Sequence, residues 1–252
     1  MGIKLENPPA VYVLCQVIFN TILDMENFVP KFQEAVRVQF PRFKEASYFI
    51  QPIVDTQNGP DIKPQIRTNW HFIDKKNTSG YLLNANSLTF HTTKYDSFES
   101  LKNFFISGLK SLHSIVNLSF IERSGLRYIN AVQVNETSKK YFHNSLLGMD
   151  DLEYDYQNIS TTSVFNINTE TTLKIQSFRS KYGYALPNDI SRDLEIKYLE
   201  QVETMMLDFD CIHKYEIDKL DIDNINESIT IQHDIIENTF KKSIDENCFA
   251  TV

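Results

Sequence analysis

The sequence predicts an α+β protein built mainly on antiparallel sheet, with three or more long helices packed on it. Two patterns support this fold class. Runs of β-prone residues follow one another across short turn-rich joins, and apolar residues repeat at helical spacing in three places. Strands joined by hairpins, with helices entering after them, are typical of α+β proteins. The composition agrees, because 252 residues with 42% apolar and 23% charged side chains are enough to bury a substantial core.

The first two elements are a strand and a helix. Residues Ala10–Phe19, AVYVLCQVIF, are almost wholly apolar and β-prone, which predicts a central strand covered on both faces. Cys15 within this run is expected to be a buried small hydrophobe. Asp24 can then cap a helix that runs to about Gln39, because apolar residues follow at helical spacing and Pro41 ends the pattern.

Three strands are predicted next. The first covers Ala46–Val54, and the second, Gln65–Ile73, alternates polar and apolar residues. Its polar face carries Arg67, Asn69 and His71. The polar run Asp74–Gly80 predicts a hairpin turn, and a returning strand of roughly Tyr81–Thr92 follows it.

A capped helix and a charged strand come after the hairpin. Asp96 and Glu99 have the spacing of a capping box, and an apolar stripe from Phe98 to Val116 predicts the helix behind it. The strand Phe120–Asn130, FIERSGLRYIN, carries charges where a buried strand would carry apolar residues. Gly125 in its middle predicts a bulge or a close backbone contact.

The best candidate for a domain boundary is Thr137–Tyr156, which ends in an acidic run. It divides the chain into an N-terminal α+β part, residues 1–136, and a C-terminal α+β part, residues 137–252, or else the two form one continuous domain. The second part is predicted to contain three strands and a long final helix. These lie near Ser163–Asn168, Thr172–Tyr182 and Gln201–Ile217, with the helix from Ile222 to Phe240. The sequence shows no self-similarity that would indicate a duplication.

Charge, cysteine content and the length of apolar runs limit the cellular location and the partners that can be expected of the protein. Three cysteines form no disulfide framework, and the N-terminal residues lack the basic and apolar regions of a signal peptide, so we expect a cytoplasmic protein. No apolar run is long enough to span a bilayer, so no membrane partner is expected. A net charge of −8 disfavours nucleic acid as a partner, although a local basic patch would still allow it.

Three segments stand out as motifs. They are the opening N-P-P-A-V with its strand and helix (Asn7–Phe40), the aromatic hairpin Trp70–Tyr95, and the strand G-L-R-Y-I-N (Gly125–Asn130), with a weaker fourth match around His233. Together they resemble an uncharacterised, sporadically distributed bacterial family. That family carries no established activity or catalytic residue to transfer. Its patchy distribution is similar to that of mobile defence and toxin–antitoxin genes, which implies a role of that kind.

The candidate binding residues lie on or beside predicted strands. They are Arg67, Arg123, Arg127, Tyr128, Asn130 and His71. Guanidinium groups fixed on a sheet can bind a carboxylate or phosphate with two hydrogen bonds. The alternative is that the arginines pair with Glu122 or other carboxylates of the same chain, since a strand-held arginine needs a partner but not a ligand.

Other patterns offer weaker chemistry. Asp61 and the run Asp74–Lys76 match the spacing of metal-dependent nucleases, but they are expected at opposite ends of one strand. Cys211, His213 and His233 are too few and too scattered for a zinc site. We therefore predict no catalytic residue, no metal and no cofactor.

These observations favour a non-enzymatic protein-binding protein, within a bacterial defence or toxin–antitoxin system. Its acidity would suit a basic toxin or nuclease as the protein partner. The alternative is a nucleic-acid- or phosphate-handling enzyme such as a metal-dependent nuclease, which predicts a deep pocket where arginines converge with His71 or acidic residues. A small-ligand sensor is a third class, and the oligomeric state stays open.

Overall fold

A computed structural model describes residues 9–50, 65–133, 142–148, 160–180, 186–187, 190–196, 203–216 and 220–245. The strands are β1 (Ala10–Phe19), β2 (Arg42–Ile50), β3 (Gln65–Ile73), β4 (Ser79–Asn84), β5 (Ser87–Thr92), β6 (Ile121–Gln133), β7 (Ser160–Asn166), β8 (Thr171–Ser180) and β9 (Thr204–Lys214). The helices are α1 (Met25–Val36), α2 (Phe98–Val116), α3 (Asn144–Leu147) and α4 (Ile222–Ser243). The α+β prediction is confirmed, with strands as the dominant element.

All the described strands form one nine-stranded antiparallel sheet in the order β2-β3-β4-β5-β1-β6-β9-β8-β7. The topology repeats. In the first half β1 pairs with β5, and in the second half β6 pairs with β9. In each half, therefore, the first strand pairs with the last. A long helix then follows each last strand, α2 after β5 and α4 after β9. Strands from both predicted parts thus share one sheet, joined at its centre by the pairing of β1 with β6.

All four described helices contribute to a core on one face of the sheet, which we call the helix face. α2 and α4 lie over the central strands and supply stripes of buried residues such as Phe105, Leu109 and Ile229. α1 packs against α2 and β3, whereas the single turn α3 packs against β7 and β8. Three of the helices are therefore long, with 12, 19 and 22 residues, and α3 has only four.

The opposite face, here called the outer face, carries a second and smaller apolar cluster. Tyr12, Ile129 and Met206 project from the central strands on this side. Ile190 and Leu194 pack onto them. β1 is consequently central and covered on both faces, as its apolar run predicts, and Cys15 is fully buried.

Four predicted elements were wrong in detail. The returning strand is two strands, β4 and β5, because the side chain of Asn84 accepts a hydrogen bond from the Asn86 N–H and turns the chain. The cap of α2 is Ser97 rather than Asp96, and its Oγ accepts from the Ser100 N–H. β2 begins at Arg42, four residues before the predicted start, and α1 ends at Val36, three before the predicted end.

Gly125 does not form a bulge. It pairs in regular register with Gln16 of β1 and Ile212 of β9. A Cβ atom at this position would meet nothing nearer than the Cys211 carbonyl oxygen at 3.9 Å, so no close backbone contact requires glycine either. Across the described residues, no helix is both long and apolar enough to cross a membrane.

Candidate functional site

The three predicted arginines share the outer face but do not converge. Arg67 lies on β3, whereas Arg123 and Arg127 lie on β6. β4, β5 and β1 separate the two strands, which places Arg67 about 19 Å from the β6 arginines at the usual strand spacing. One small anion therefore cannot contact all three guanidinium groups.

Arg127 has an internal partner. Its Nε donates to Oδ1 of Asp208 at 2.8 Å, and its NH2 donates to Oδ2 at 2.6 Å. Asp208 is 1% exposed and Arg127 is 8% exposed, so the bidentate pair is buried. Asp210 lies opposite Arg127 on β9; burial raises the pKa of this carboxyl, and the charge of Arg127 opposes that rise. The geometry at Arg127 matches the intramolecular pairing, with Asp208 instead of Glu122 as the carboxylate.

The other two arginines are exposed at separate places. Arg67 donates to Oδ1 of Asn86 at 2.9 Å, at the turn between β4 and β5. Arg123 lies directly opposite Lys214 of β9, so two cations face each other at that end of the sheet. Arg67 stands apart, whereas the charges of Arg123, Arg127 and Lys174 all lower the pKa of Asp210.

Tyr128 and Asn130 lie on the helix face, away from the arginines. The Tyr128 hydroxyl is 3.2 Å from the Tyr95 hydroxyl and 3.1 Å from Nδ1 of His233. The His233 ring in turn stacks on Phe98 with centroids 3.9 Å apart. Burial raises the pKa of Tyr128 and lowers that of His233. This chain of rings and hydroxyls links α2, β6 and α4 inside the core.

His71 lies on the outer face beneath the segment 190–196. Its Nδ1 is 3.0 Å from Oδ2 of Asp193, but the two atoms do not form a hydrogen bond. Asp193 also accepts from Lys44 and from Ser191, each at 2.5 Å. Burial raises the pKa of Asp193, but its hydrogen bonds with Lys44 and Ser191 outweigh this rise, so the pKa is lowered. The carboxylate therefore fixes the segment 190–196 to the first half of the sheet.

His91 is the second buried histidine of this region. Its Nδ1 is 2.6 Å from the Tyr12 hydroxyl, and within the described residues its Nε2 has no hydrogen-bond partner. Burial, with the nearby His71, lowers the pKa of His91 to about 3. Burial also lowers the pKa of His71, so both rings are neutral at physiological pH.

The residues of the nuclease and zinc patterns have structural contacts where the structure describes them. Asp74 accepts hydrogen bonds from the Lys76 N–H, the Thr78 N–H and the Thr78 hydroxyl, which use both of its oxygens in the hairpin turn. Asp61 lies outside the described residues. Nδ1 of His213 is 2.9 Å from the Thr171 hydroxyl. No group of three or more His, Cys, Asp or Glu among the described residues is arranged to hold a metal ion.

A cleft of about 860 Å³ opens where α4 begins. Its polar lining includes Glu170, His213, Lys214 and Asp221. The Asp221 carboxylate is already engaged, because Oδ1 accepts from the first N–H groups of α4. None of the predicted arginines lines this cleft, and neither does His71, so it lacks the convergence that the enzyme alternative predicts.

The surface that sequence reasoning missed is the β7 edge, the outermost strand Ser160–Asn166 with the adjoining Ile167. Val164 is 62% exposed on the outer face, Phe165 is 48% exposed on the helix face, and Ile167 is 46% exposed. Large apolar side chains are thus exposed on both sides of one strand.

Among the strands that the structure describes, none pairs with the outer side of β7. The Ile167 N–H donates a hydrogen bond to the Thr171 carbonyl. In an antiparallel pair, hydrogen-bonded and non-hydrogen-bonded residues alternate along the strand. The N–H and C=O groups of Phe165, Ser163 and Thr161 therefore point toward β8. The intervening residues point theirs away from β8. They are Ser160, Thr162, Val164 and Asn166.

The two edges of the sheet differ in charge. β2 carries Arg42, Lys44 and Glu45, which is how soluble proteins discourage strand addition. β7 carries no charge at all, and residues 156–169 are uncharged throughout. That uncharged, β-prone run was the sequence signal for this surface, but only the sheet order shows that it forms an edge.

Of the six predicted binding residues, four lie on the outer face and two on the helix face. The outer-face residues are Arg67, Arg123, Arg127 and His71, and the helix-face residues are Tyr128 and Asn130. Comparisons of the chain with family models, curated proteins and solved structures found no match.

Proposed function

We propose that this chain is a non-enzymatic protein-binding protein whose binding surface is the β7 edge. The observation that carries the proposal is an uncharged outermost strand with outward main-chain groups and exposed Val164 and Phe165. An edge of this kind is a template for an added strand, and soluble proteins normally protect it. Exposed apolar side chains on both faces of the same strand add area for contact.

The binding mode that fits is strand addition. An extended segment of the partner pairs with the outward N–H and C=O groups, which supply affinity, while side chains beside Val164 and Phe165 supply specificity. The net charge of −8 favours a basic protein among the possible partners. A toxin or nuclease of a bacterial defence or toxin–antitoxin system would be such a partner, in keeping with the family resemblance.

Capture from lysate of the source cells tests this function with three forms of the immobilised chain. The wild type and Val38→Lys, an exposed apolar position remote from β7, are expected to retain the same specific protein. Thr162→Lys with Val164→Lys is expected to lose it, because two charges on the edge oppose strand addition. The captured protein is then purified and titrated against all three forms.

Equal capture by all forms, or no specific capture by any, would count against the proposal. Circular dichroism and melting temperature serve as the folding control. Both are expected to stay as in the wild type, because the substituted side chains of β7 are exposed.

A further inference from the structure

We infer that in the free protein the β7 edge is covered by the β7 edge of a second copy, in antiparallel pairing about a two-fold axis. The inference rests on the proposed function, because it takes this edge to be the protein-binding surface, and it adds how the surface is regulated. A partner strand would then bind only after the two copies separate.

The outward ladder of β7 is complementary to itself. Centring the axis on Ser163 places Thr162 opposite Val164 of the second copy and Ser160 opposite Asn166. All four are residues whose main-chain groups point outward, so each pair exchanges two hydrogen bonds and full overlap makes about eight. The strand then lies between two neighbours, and the sheet continues across the axis.

The side chains of β7 also suit this arrangement. In this register Val164 lies opposite Thr162, which is β-branched and of similar size, and Phe165 lies opposite the smaller Thr161. The strand contains no charge, so no like charges are brought together within the ladder. An uncharged strand also gains no ion pair from a charged segment, which favours a neutral strand such as itself as the resting occupant.

Long-range charge opposes the pairing moderately. Each copy carries a net charge of −8, and repulsion between the copies is screened over about 10 Å at 0.1 M salt. The association is therefore expected to strengthen as salt rises. This direction differs from that of a complex with a basic partner, which salt would weaken.

Light scattering on the full chain measures the mass directly. The mass is expected to rise from 29.4 kDa toward twice that value as concentration increases from about 1 μM to 1 mM. The midpoint is expected to move to lower concentration when salt is raised from about 0.05 M to 0.5 M.

Two variants place the contact at β7. Val164→Pro removes an N–H that points away from β8, so it blocks the added strand without breaking the β7–β8 ladder, and proline is tolerated on strand edges. Thr162→Lys opposes the added strand through its charge instead, so the test can still be made if the proline variant folds poorly. Both are expected to stay at 29.4 kDa, whereas the control Val38→Lys dimerises like the wild type.

Hydrogen exchange adds a residue-level readout. The amides of Thr162, Val164 and Asn166 are expected to exchange slowly at high concentration and fast at low concentration. Those of Ser163 and Phe165, bonded to β8, are expected to be slow at both. Single-chain mass over the whole range, or a dimer that survives both Val164→Pro and Thr162→Lys, would overturn the inference.

The two proposals fail separately. If the chain is always single but charges on β7 still abolish capture of another protein, the self-pairing is wrong and the binding function stands. If β7 pairs with itself and no other protein is ever captured, the self-pairing stands and the proposed function fails.

Discussion

The two halves of the sheet share one topology but differ in the helices that cover them and in the edge strand. In the first half, α1 and α2 cover the helix face and the charged strand β2 closes the edge. Among the described residues of the second half, α4 has only the single turn α3 as its companion, and the edge is the uncharged β7. On the outer face the first half buries neutral histidines, whereas the second half buries the Arg127–Asp208 ion pair.

This difference separates stability from binding. In the first half two long helices cover one face of the strands and segment 190–196 covers part of the other, and Phe43, 43% exposed, is the one large apolar side chain exposed on the described part of β2. Where the chain supplies one long helix and an uncharged edge, apolar side chains remain exposed on the outermost strand. Substitutions that affect one half more than the other therefore test whether the halves are held together by different forces.

The largest expected effect is in the second half, at the buried ion pair. Asp208→Ala leaves the Arg127 guanidinium buried without its bidentate partner and is expected to lower the free energy of unfolding by about 3–5 kcal/mol. Urea denaturation measures this loss. Replacing both residues, with Arg127→Met and Asp208→Leu, is expected to restore part of it, because neither member of the pair is then left without the other, while Asp210 loses the Arg127 charge that lowers its pKa. A cost below about 1 kcal/mol for Asp208→Ala would show that this half does not depend on the pair.

The next largest difference in stability is expected between alanine substitutions of two strand glycines, one in each half. A Cβ on Gly80 of β4 would lie 2.4 Å from the Phe72 carbonyl oxygen, so Gly80→Ala forces the backbone to move and is expected to cost about 1–3 kcal/mol. Gly125→Ala in β6 meets no such obstacle, and less freedom in the unfolded chain is expected to make it neutral or stabilising by about 0.4–1 kcal/mol. Equal losses in thermal melts of the two variants would contradict this difference.

Two buried groups, His91 in the first half and Asp210 in the second, contribute to the pH dependence with opposite signs. Burial lowers the pKa of His91 to about 3, so below its ordinary value of about 6.5 the unfolded chain binds a proton that the folded chain does not. Above pH 6.5 this histidine therefore costs the folded state no protonation energy. As pH drops below 6.5 it lowers the free energy of unfolding, by about 2 kcal/mol at pH 5. Burial raises the pKa of Asp210, whose contribution is instead present at low pH and lost as pH rises through the folded value.

Unfolding at pH 7.5 and pH 5 in wild type and His91→Gln measures the first-half term. The variant is expected to lose less stability on acidification, because glutamine does not titrate. The same loss in both proteins would show that another group controls the acid sensitivity.

Local patterns predicted most of the elements, because alternation and helical spacing report directly which residues are buried. β3 was predicted to the residue, and the stripes of α2 and α4 are buried as expected. Gln232 interrupts the α4 stripe and is buried with it, since its side-chain amide donates to the carbonyls of Ser124 and Cys211. A polar residue within an apolar stripe was the visible sign of such a contact.

Contacts between distant segments could not be predicted in this way. The partner of Arg127 is 81 residues away, and Asp193 reaches Lys44 across 149 residues. The position of β7 at the edge depends on how β6 pairs with β9, which no local pattern encodes. The candidate surface consequently came from the sheet order, whereas the predicted arginines came from local composition, and Arg67 proved to lie apart from the two on β6.

The smallest expected difference concerns the caps of α2 and α4, the longest helix of each half. Asp221 caps α4 with two hydrogen bonds, from the N–H groups of Asp223 and Asn224 at 2.9 and 3.1 Å, and its charge also suits the helix N-terminus. Ser97 caps α2 with one bond of 3.3 Å. We expect Asp221→Ala to cost about 1–2 kcal/mol and Ser97→Ala about 0.5–1 kcal/mol by urea denaturation. Asp221→Asn, which keeps the acceptor and removes the charge, is expected to lie between the wild type and Asp221→Ala. If Ser97→Ala costs more than Asp221→Ala, then the first half depends more on its helix cap than the bond lengths imply.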